Sequence, residues 1–231
     1  MWDAFYGDYF IYLITVVPAL LISLIAQVQV KSSFSRYSAH PCSLSGAEAA
    51  ARVLSANGVT GVKIEQVAGE LTDHYDPKTN IIRLSQSVYH SRNIAAVGVA
   101  AHEAGHAVQY ANGYTPIRLR AVILPICQLG SQLSMPLLLL GILFSFYPLV
   151  ELGIIFFCAT LLFQVVTLPV EFNASNRALR SIRETGILSD GNDYKGAARV
   201  LRAAAMTYVA SVIVSVMQLI RLLALAGRRR K

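Results

Sequence analysis

The chain has 231 residues, of which 55% are hydrophobic and only 14% charged, with a mean hydropathy of +0.50. An average soluble domain is about 25% charged, so this is the composition of a membrane protein, with its apolar residues in blocks. The net charge of +7 stands in short basic clusters beside apolar segments, without interleaved aromatics, which argues against a nucleic-acid surface; three cysteines with no Cys-x-x-Cys make neither a disulfide framework nor a thiolate metal site.

The first apolar block covers about residues 9–28. It follows Asp3 and Asp8, with no basic leader and no small-residue cleavage site, so it reads as a retained spanning helix. Residues 31–120 hold most of the polar sequence and read as a small globular part. Ser45 and Glu48 form a capping box for a helix that ends at Asn57-Gly58. Residues 62–67 have strand character. Residues 71–75 and 80–84 flank the turn sequence Asp76-Pro77-Lys78-Thr79 and read as a hairpin, with 80–84 as an edge strand able to pair with an extended peptide. Ser91 is a candidate cap for the next helix, which stops near Asn112-Gly113.

A second apolar block, about 121–150, is too long for one straight span and contains Pro125, Pro136 and Pro148. A third runs from about 152 to 170. Together they predict a helical hairpin that turns near residues 147–151. A fourth block, 206–226, carries Gln218 and Arg221, which make it a poor span. Residues 193–226 are therefore expected to form a long helix in the globular core or at the membrane interface. The expected organisation is an N-terminal transmembrane helix (1–30), the globular part (31–120), a transmembrane hairpin (121–170) and a C-terminal region (171–231). The fold class is a mainly α membrane protein with a small β-hairpin or sheet and three or four apolar membrane helices.

The predicted helix around residue 100 carries His102-Glu103-Ala104-Gly105-His106, an H-E-x-x-H pattern. Positions i and i+4 share a helix face, so two imidazoles point the same way and can hold one Zn²⁺, with Glu103 as general base for an activated water. Independent placement gives roughly 0.003 such matches in a chain with this His and Glu content, so chance does not explain the pattern. Only about eight apolar residues precede His102, well short of the ~20 that a span needs. The motif helix therefore belongs to a protein core.

Catalytic zinc usually takes a third protein ligand. Glu151 lies in the hairpin turn, on the far side of the membrane from the motif. Glu171 follows the third apolar block, and a hairpin that leaves near Arg118 and returns brings it back to the surface of His106. Ala174, one turn on, permits close approach of the two helices. Ser175 shares the face of Glu171 and is placed to accept the other ring N–H of a ligand histidine. The plainer alternative makes Glu171 an interfacial carboxylate paired with Arg177 or Arg180. Asp190, in a polar Gly-containing loop, is the second choice of ligand.

The segments Leu71-Thr72-Asp73-His74-Tyr75-Asp76-Pro77, Arg83-Leu84-Ser85, Ala100-Ala101-His102-Glu103-Ala104-Gly105-His106-Ala107-Val108-Gln109, Leu168-Pro169-Val170-Glu171-Phe172-Asn173-Ala174-Ser175 and Ala205-Met206-Thr207-Tyr208-Val209-Ala210 span most of the chain. On these the chain resembles the neutral zinc metallopeptidases of the YugP-like membrane type and is distantly similar to HtpX. The resemblance implies a zincin-like protease part holding one zinc per chain on His102, His106 and Glu171, with Glu103 as the base. Asn173 stands where the family pattern favours Asp, and Ser175 where HtpX-like proteins carry Asp, so orienting of the ligands falls to Ser175 or Asn173. Candidates for the oxyanion donor are His74, Tyr75 and Tyr208.

The expected function is peptide-bond hydrolysis in membrane or membrane-proximal polypeptides. The partners are such a polypeptide and membrane lipid, not nucleic acid, with homo-oligomerisation left open. The competing readings are a non-catalytic metal-binding scaffold and a site-2-type intramembrane protease. Lys31, Arg36, Arg118, Arg120, Arg177, Arg180 and Arg183 flank the apolar blocks on one side, and the N-terminus and hairpin turn carry no Lys or Arg. The positive-inside rule then predicts a multi-pass protein of the plasma or inner membrane with its site facing the cytoplasm.

Overall fold

A computed structural model describes residues 2–188 and 191–229, with side chains over 13–188 and 191–227. The chain is 77% helical and is a mainly α membrane protein with one small sheet. Contacts divide it into two units. The first holds residues 1–27, 119–168 and 207–231, and the second holds 28–118 and 169–206.

The second unit carries the polar sequence. Helix α1 (Trp2–Ser38) contributes its last turns. Helix α2 (Gly46–Ala56) starts at the Ser45–Glu48 capping box, where Ser45 N donates to Glu48 Oε2 at 2.7 Å and Glu48 N to Ser45 Oγ at 3.3 Å. Strands β1 (Lys63–Val67), β2 (His74–Asp76) and β3 (Ile81–Ser85) form a sheet in the order β1-β3-β2. β1 runs parallel to β3, and β2 antiparallel to it. The 71–75/80–84 hairpin is therefore present, but β3 is the central strand. Both of its sides are hydrogen-bonded, so it is not the edge expected at 80–84; β1 and β2 are the edges.

A single-turn helix α3 (Gln86–Tyr89) leads to α4 (Ile94–Ala111), the motif helix. Its cap is Asn93, which accepts from Ala96 N at 2.9 Å, and not Ser91, which stands two residues too early. It ends at Asn112, and Gly113 follows at φ 64°, the left-handed stop predicted for Asn112-Gly113. The helix is buried nearly all round. Ala95, Ala96, Ala100, Ala101, Ala104 and Ala107 are each at most 2% exposed, so small side chains let neighbours close in on several faces. Those neighbours enter one core cluster: Val53 and Leu54 of α2, Ile82 and Leu84 of β3, Ala178 and Ile182, and Ala197, Val200 and Leu201.

The first unit is apolar. Helix α5 (Thr115–Leu143) runs through Pro125 and Pro136, so neither proline breaks it. Prolines are tolerated in membrane helices because neighbours re-satisfy the freed carbonyls. The turn falls at residues 144–146, with Ser145 at φ 52°, a few residues before the expected 147–151. Pro148 then sits in the first turn of helix α6 (Tyr147–Glu184), where its missing N–H costs nothing. The hairpin closes on small residues: Ser134 Oγ donates to Gly153 O at 2.9 Å, and a Cβ on Gly141 would lie 2.8 Å from Val150 N. Large side chains such as Val122, Ile126, Leu139, Phe144 and Ile155 are exposed, as lipid contact requires.

Helix α7 (Gly191–Arg229) is the long helix expected over 193–226, and it divides between the two units. Its first part enters the globular core through Ala197, Val200 and Leu201, as expected. Its second part, from residue 207, groups with the hairpin, where Leu222 and Ala226 pack with Leu138, Val150 and Ile154. Four helices, α1, α5, α6 and α7, are long and apolar enough to cross a membrane.

Candidate metal centre

Helix α4 presents His102 and His106 on one face, their rings edge to face with centroids 4.7 Å apart. The second half of α6 crosses that face. A Cβ on Gly105 would lie 2.6 Å from the carbonyl oxygen of Ala174, so the two backbones touch where the motif has its glycine. Glu171, one turn before Ala174, is thereby delivered between the imidazoles. Its Oε2 lies 3.3 Å from His102 Nε2 and 3.6 Å from His106 Nε2.

The three donor atoms lie within 4.8 Å of one another. Two ligand atoms on a tetrahedral zinc with bonds of ~2.0–2.1 Å stand about 3.3–3.4 Å apart. The carboxylate–imidazole spacings of 3.3 and 3.6 Å match that geometry, and two imidazoles with a carboxylate are a donor set suited to zinc. Glu171 is 2% exposed, too buried for an interfacial pair. Arg177 instead donates through Nε to Asn173 Oδ1 at 2.7 Å and lies over the Tyr114 ring.

Each of the two histidines has a second partner. Ser175 Oγ lies 3.1 Å from His102 Nδ1. His106 Nδ1 lies 3.0 Å from Gln109 Oε1. Burial works against a proton on His106, but hydrogen bonding to Glu171, the charges of Glu103 and Glu171 and the Gln109 amide outweigh it, so the basicity of this ring is raised. Asn173 does not touch a histidine. It accepts from Gln109 Nε2 at 3.0 Å and so stands one step further out than expected.

Glu103 is 8% exposed, and its Oε2 accepts the backbone N–H of Tyr75 at 3.0 Å. An edge strand thus holds the carboxylate. That strand is anchored by Asp73, whose carboxylate accepts Ser85 N at 2.8 Å and the Ser85 hydroxyl at 3.0 Å. Burial chiefly, and less so the charge of Glu103, raise the Asp73 pKa, against the lowering by Ser85. The Tyr75 hydroxyl donates to Asn80 Oδ1 at 2.8 Å, which occupies the group expected to serve an oxyanion. His74 is exposed on β2 with Nδ1 2.8 Å from Thr72 O. Tyr208 belongs to the apolar unit, and Asp190 lies outside the described residues.

Gln109 is the site residue that motif reasoning missed. Its signal was available, since it stands at i+3 from His106 and shares its face.

A family model with the description "Putative neutral zinc metallopeptidase" matches residues 12–227. The chain is 44% identical over 213 residues to the "Putative membrane protease YugP" of Bacillus subtilis (strain 168), covering 91% of this chain and 94% of that protein. No solved structure matches the chain.

Proposed function

Because this chain belongs to the neutral zinc metallopeptidase family, we propose that it is a membrane-bound zinc endopeptidase that hydrolyses peptide bonds in membrane or membrane-proximal polypeptides. The observation that carries this reading is the convergence of His102 Nε2, His106 Nε2 and Glu171 Oε2 beside the buried carboxylate of Glu103. His102, His106 and Glu171 would hold one zinc per chain, and zinc would supply Lewis-acid polarisation of the scissile carbonyl and a lowered pKa for the attacking water. Glu103 removes the proton of the attacking water and passes it to the leaving amine. The Tyr75 N–H fixes one oxygen of Glu103 and leaves the other to face the reacting water. Ser175 accepts the Nδ1–H of His102, which leaves the Nε2 lone pair available to a metal. His74 is the oxyanion donor we retain, because it adjoins Tyr75, and the Tyr75 hydroxyl is already engaged by Asn80.

The membrane segments lie in residues 1–30 and 121–170, and the second part of α7 is a further candidate span. The protease part lies in 31–120, and the third ligand opens the 171–231 region. The basic flanks at Lys31, Arg36, Arg118, Arg120, Arg177, Arg180 and Arg183 support a cytoplasmic active site.

The deciding experiment is a peptidase assay on purified protein in detergent, with zinc content measured alongside. Glu103→Gln keeps zinc and loses cleavage by at least about 10²-fold, while His102→Ala loses both. A Glu103→Gln variant that cleaves at the native rate overturns the mechanism.

A further inference from the structure

We propose that Gln109 is the positioning residue for the second zinc-binding histidine, and that it ties this ligand to the helix carrying the third. The inference rests on the zinc reading above. Gln109 is 0% exposed in the core, where a glutamine is retained only if its amide is satisfied. A carboxamide has one acceptor oxygen and two N–H donors. All are used: Oε1 faces His106 Nδ1 at 3.0 Å, and Nε2 donates to Val170 O at 2.8 Å and to Asn173 Oδ1 at 3.0 Å.

The orientation of every member follows from Arg177, whose guanidinium can only donate. Arg177 Nε donates to Asn173 at 2.7 Å, so the oxygen of that amide faces it. The same Asn173 oxygen and the Val170 carbonyl both demand an N–H from Gln109, so the Gln109 nitrogen faces α6 and its oxygen faces His106. An oxygen there accepts only from Nδ1–H, which leaves the His106 Nε2 lone pair for a metal that Nε2 would share with Glu171 Oε2, 3.6 Å away. One side chain therefore sets the tautomer of a ligand and holds the backbone residue that precedes Glu171. Position 173 needs an acceptor oxygen, which Asn and Asp both supply.

The test uses the full chain in detergent, with zinc affinity measured by chelator competition and thermal midpoints measured with and without zinc. Gln109→Met removes the amide at similar volume and should weaken zinc affinity by roughly 10- to 100-fold. A residue that only packed would lower the zinc-free midpoint and leave zinc affinity at the wild-type value, and that result overturns the proposal. If Gln109→Met does not fold, Asn173→Ala and Asn173→Asp carry the test. Ala should weaken zinc binding several-fold, and Asp, which keeps the acceptor, should restore most of it; equal affinities for the two overturn the proposal. If the wild-type chain itself binds no zinc, the metal reading fails. If the wild type binds and Gln109→Met binds as tightly, only the role of Gln109 fails.

Discussion

Glu103 and Asp73 are neighbouring acids with opposite tasks. Glu103 takes the backbone N–H of Tyr75 on one oxygen, and the proposed mechanism uses the other, whereas Asp73 spends its carboxylate on Ser85. The raised pKa of Asp73 means that its charged form is disfavoured in the fold relative to the unfolded chain. The resulting penalty is full above the raised value and vanishes as pH falls below the ordinary carboxylate value. Asp73→Asn keeps an acceptor for Ser85 and removes that penalty. The thermal midpoint of the wild type should therefore gain on that of the variant between pH 7 and pH 4. A difference between the two proteins that does not change with pH would refute this. At this scale the motif was legible because i,i+4 spacing is a property of any helix. Glu171 was legible because a hairpin must return to the surface it left. Gln109 and the Tyr75 amide were not, since hydrogen bonds of Gln109 to Val170 and Asn173, and of Tyr75 to Glu103, exist only once distant elements have packed.

The contact between α4 and α6 depends on two small residues, Gly105 and Ala174. Gly105→Ala puts a Cβ 2.6 Å from a backbone oxygen that cannot swing aside, so the helices must part. Overpacking of this kind costs about 1–3 kcal/mol, and here it also carries Glu171 away from the imidazoles. Gly98 is the control on the same helix. Its added Cβ would meet Ala197 at 3.7 Å, an ordinary contact, and Gly98→Ala should stabilise by roughly 0.5–1 kcal/mol through helix propensity. Zinc titration and thermal unfolding of both variants check this: Gly105→Ala should lose zinc affinity and Gly98→Ala should keep it. Equal behaviour of the two would refute the close-approach account. Helix existence was readable from apolar blocks and caps, but helix ends inside apolar sequence were not. The composition breaks at Glu171, yet α6 continues to Glu184. Prolines punctuate soluble helices, yet α5 passes through two of them. Nor did the hairpin sequence reveal that β1 takes the free side of β3, because that pairing is parallel and spans a crossover.

Across the whole molecule, hydropathy and basic flanks disagree about α7. Gln218 and Arg221 and the basic run at 228–231, which lies beyond the described side chains, argued against a fourth span. Packing within the apolar unit argues for one. Near its start in that unit, Thr207 and Ser211 line a cavity with Ser23, Gln27 and Gln164. Near its end, the Tyr147 hydroxyl donates to Ala226 O at 3.3 Å, and Leu222 packs with the residues that flank the hairpin turn. From Thr207 to Ala226 is 19 residues, about 28 Å of helix, close to the ~30 Å hydrocarbon thickness. If the hairpin crosses that thickness, a helix that runs beside it from its open end to its turn would cross it too. Arg221 stands about 9 Å of helix before Gly227, near enough for its head group to reach the interface. Seven basic residues flank the side of the active site and four close the tail, so the majority still favours a cytoplasmic site. With a cytoplasmic site and a spanning α7, Gly227 would share the outer side with the hairpin turn. In a chain lacking Cys42, Cys127 and Cys158, single cysteines at Ser145 and Gly227 should both react with a membrane-impermeant thiol reagent added to intact cells. Labelling at Ser145 alone would return α7 to the interfacial placement that its polar residues suggest. Labelling at neither position in intact cells, with both reacting after lysis, would invert the topology and put the metal centre outside.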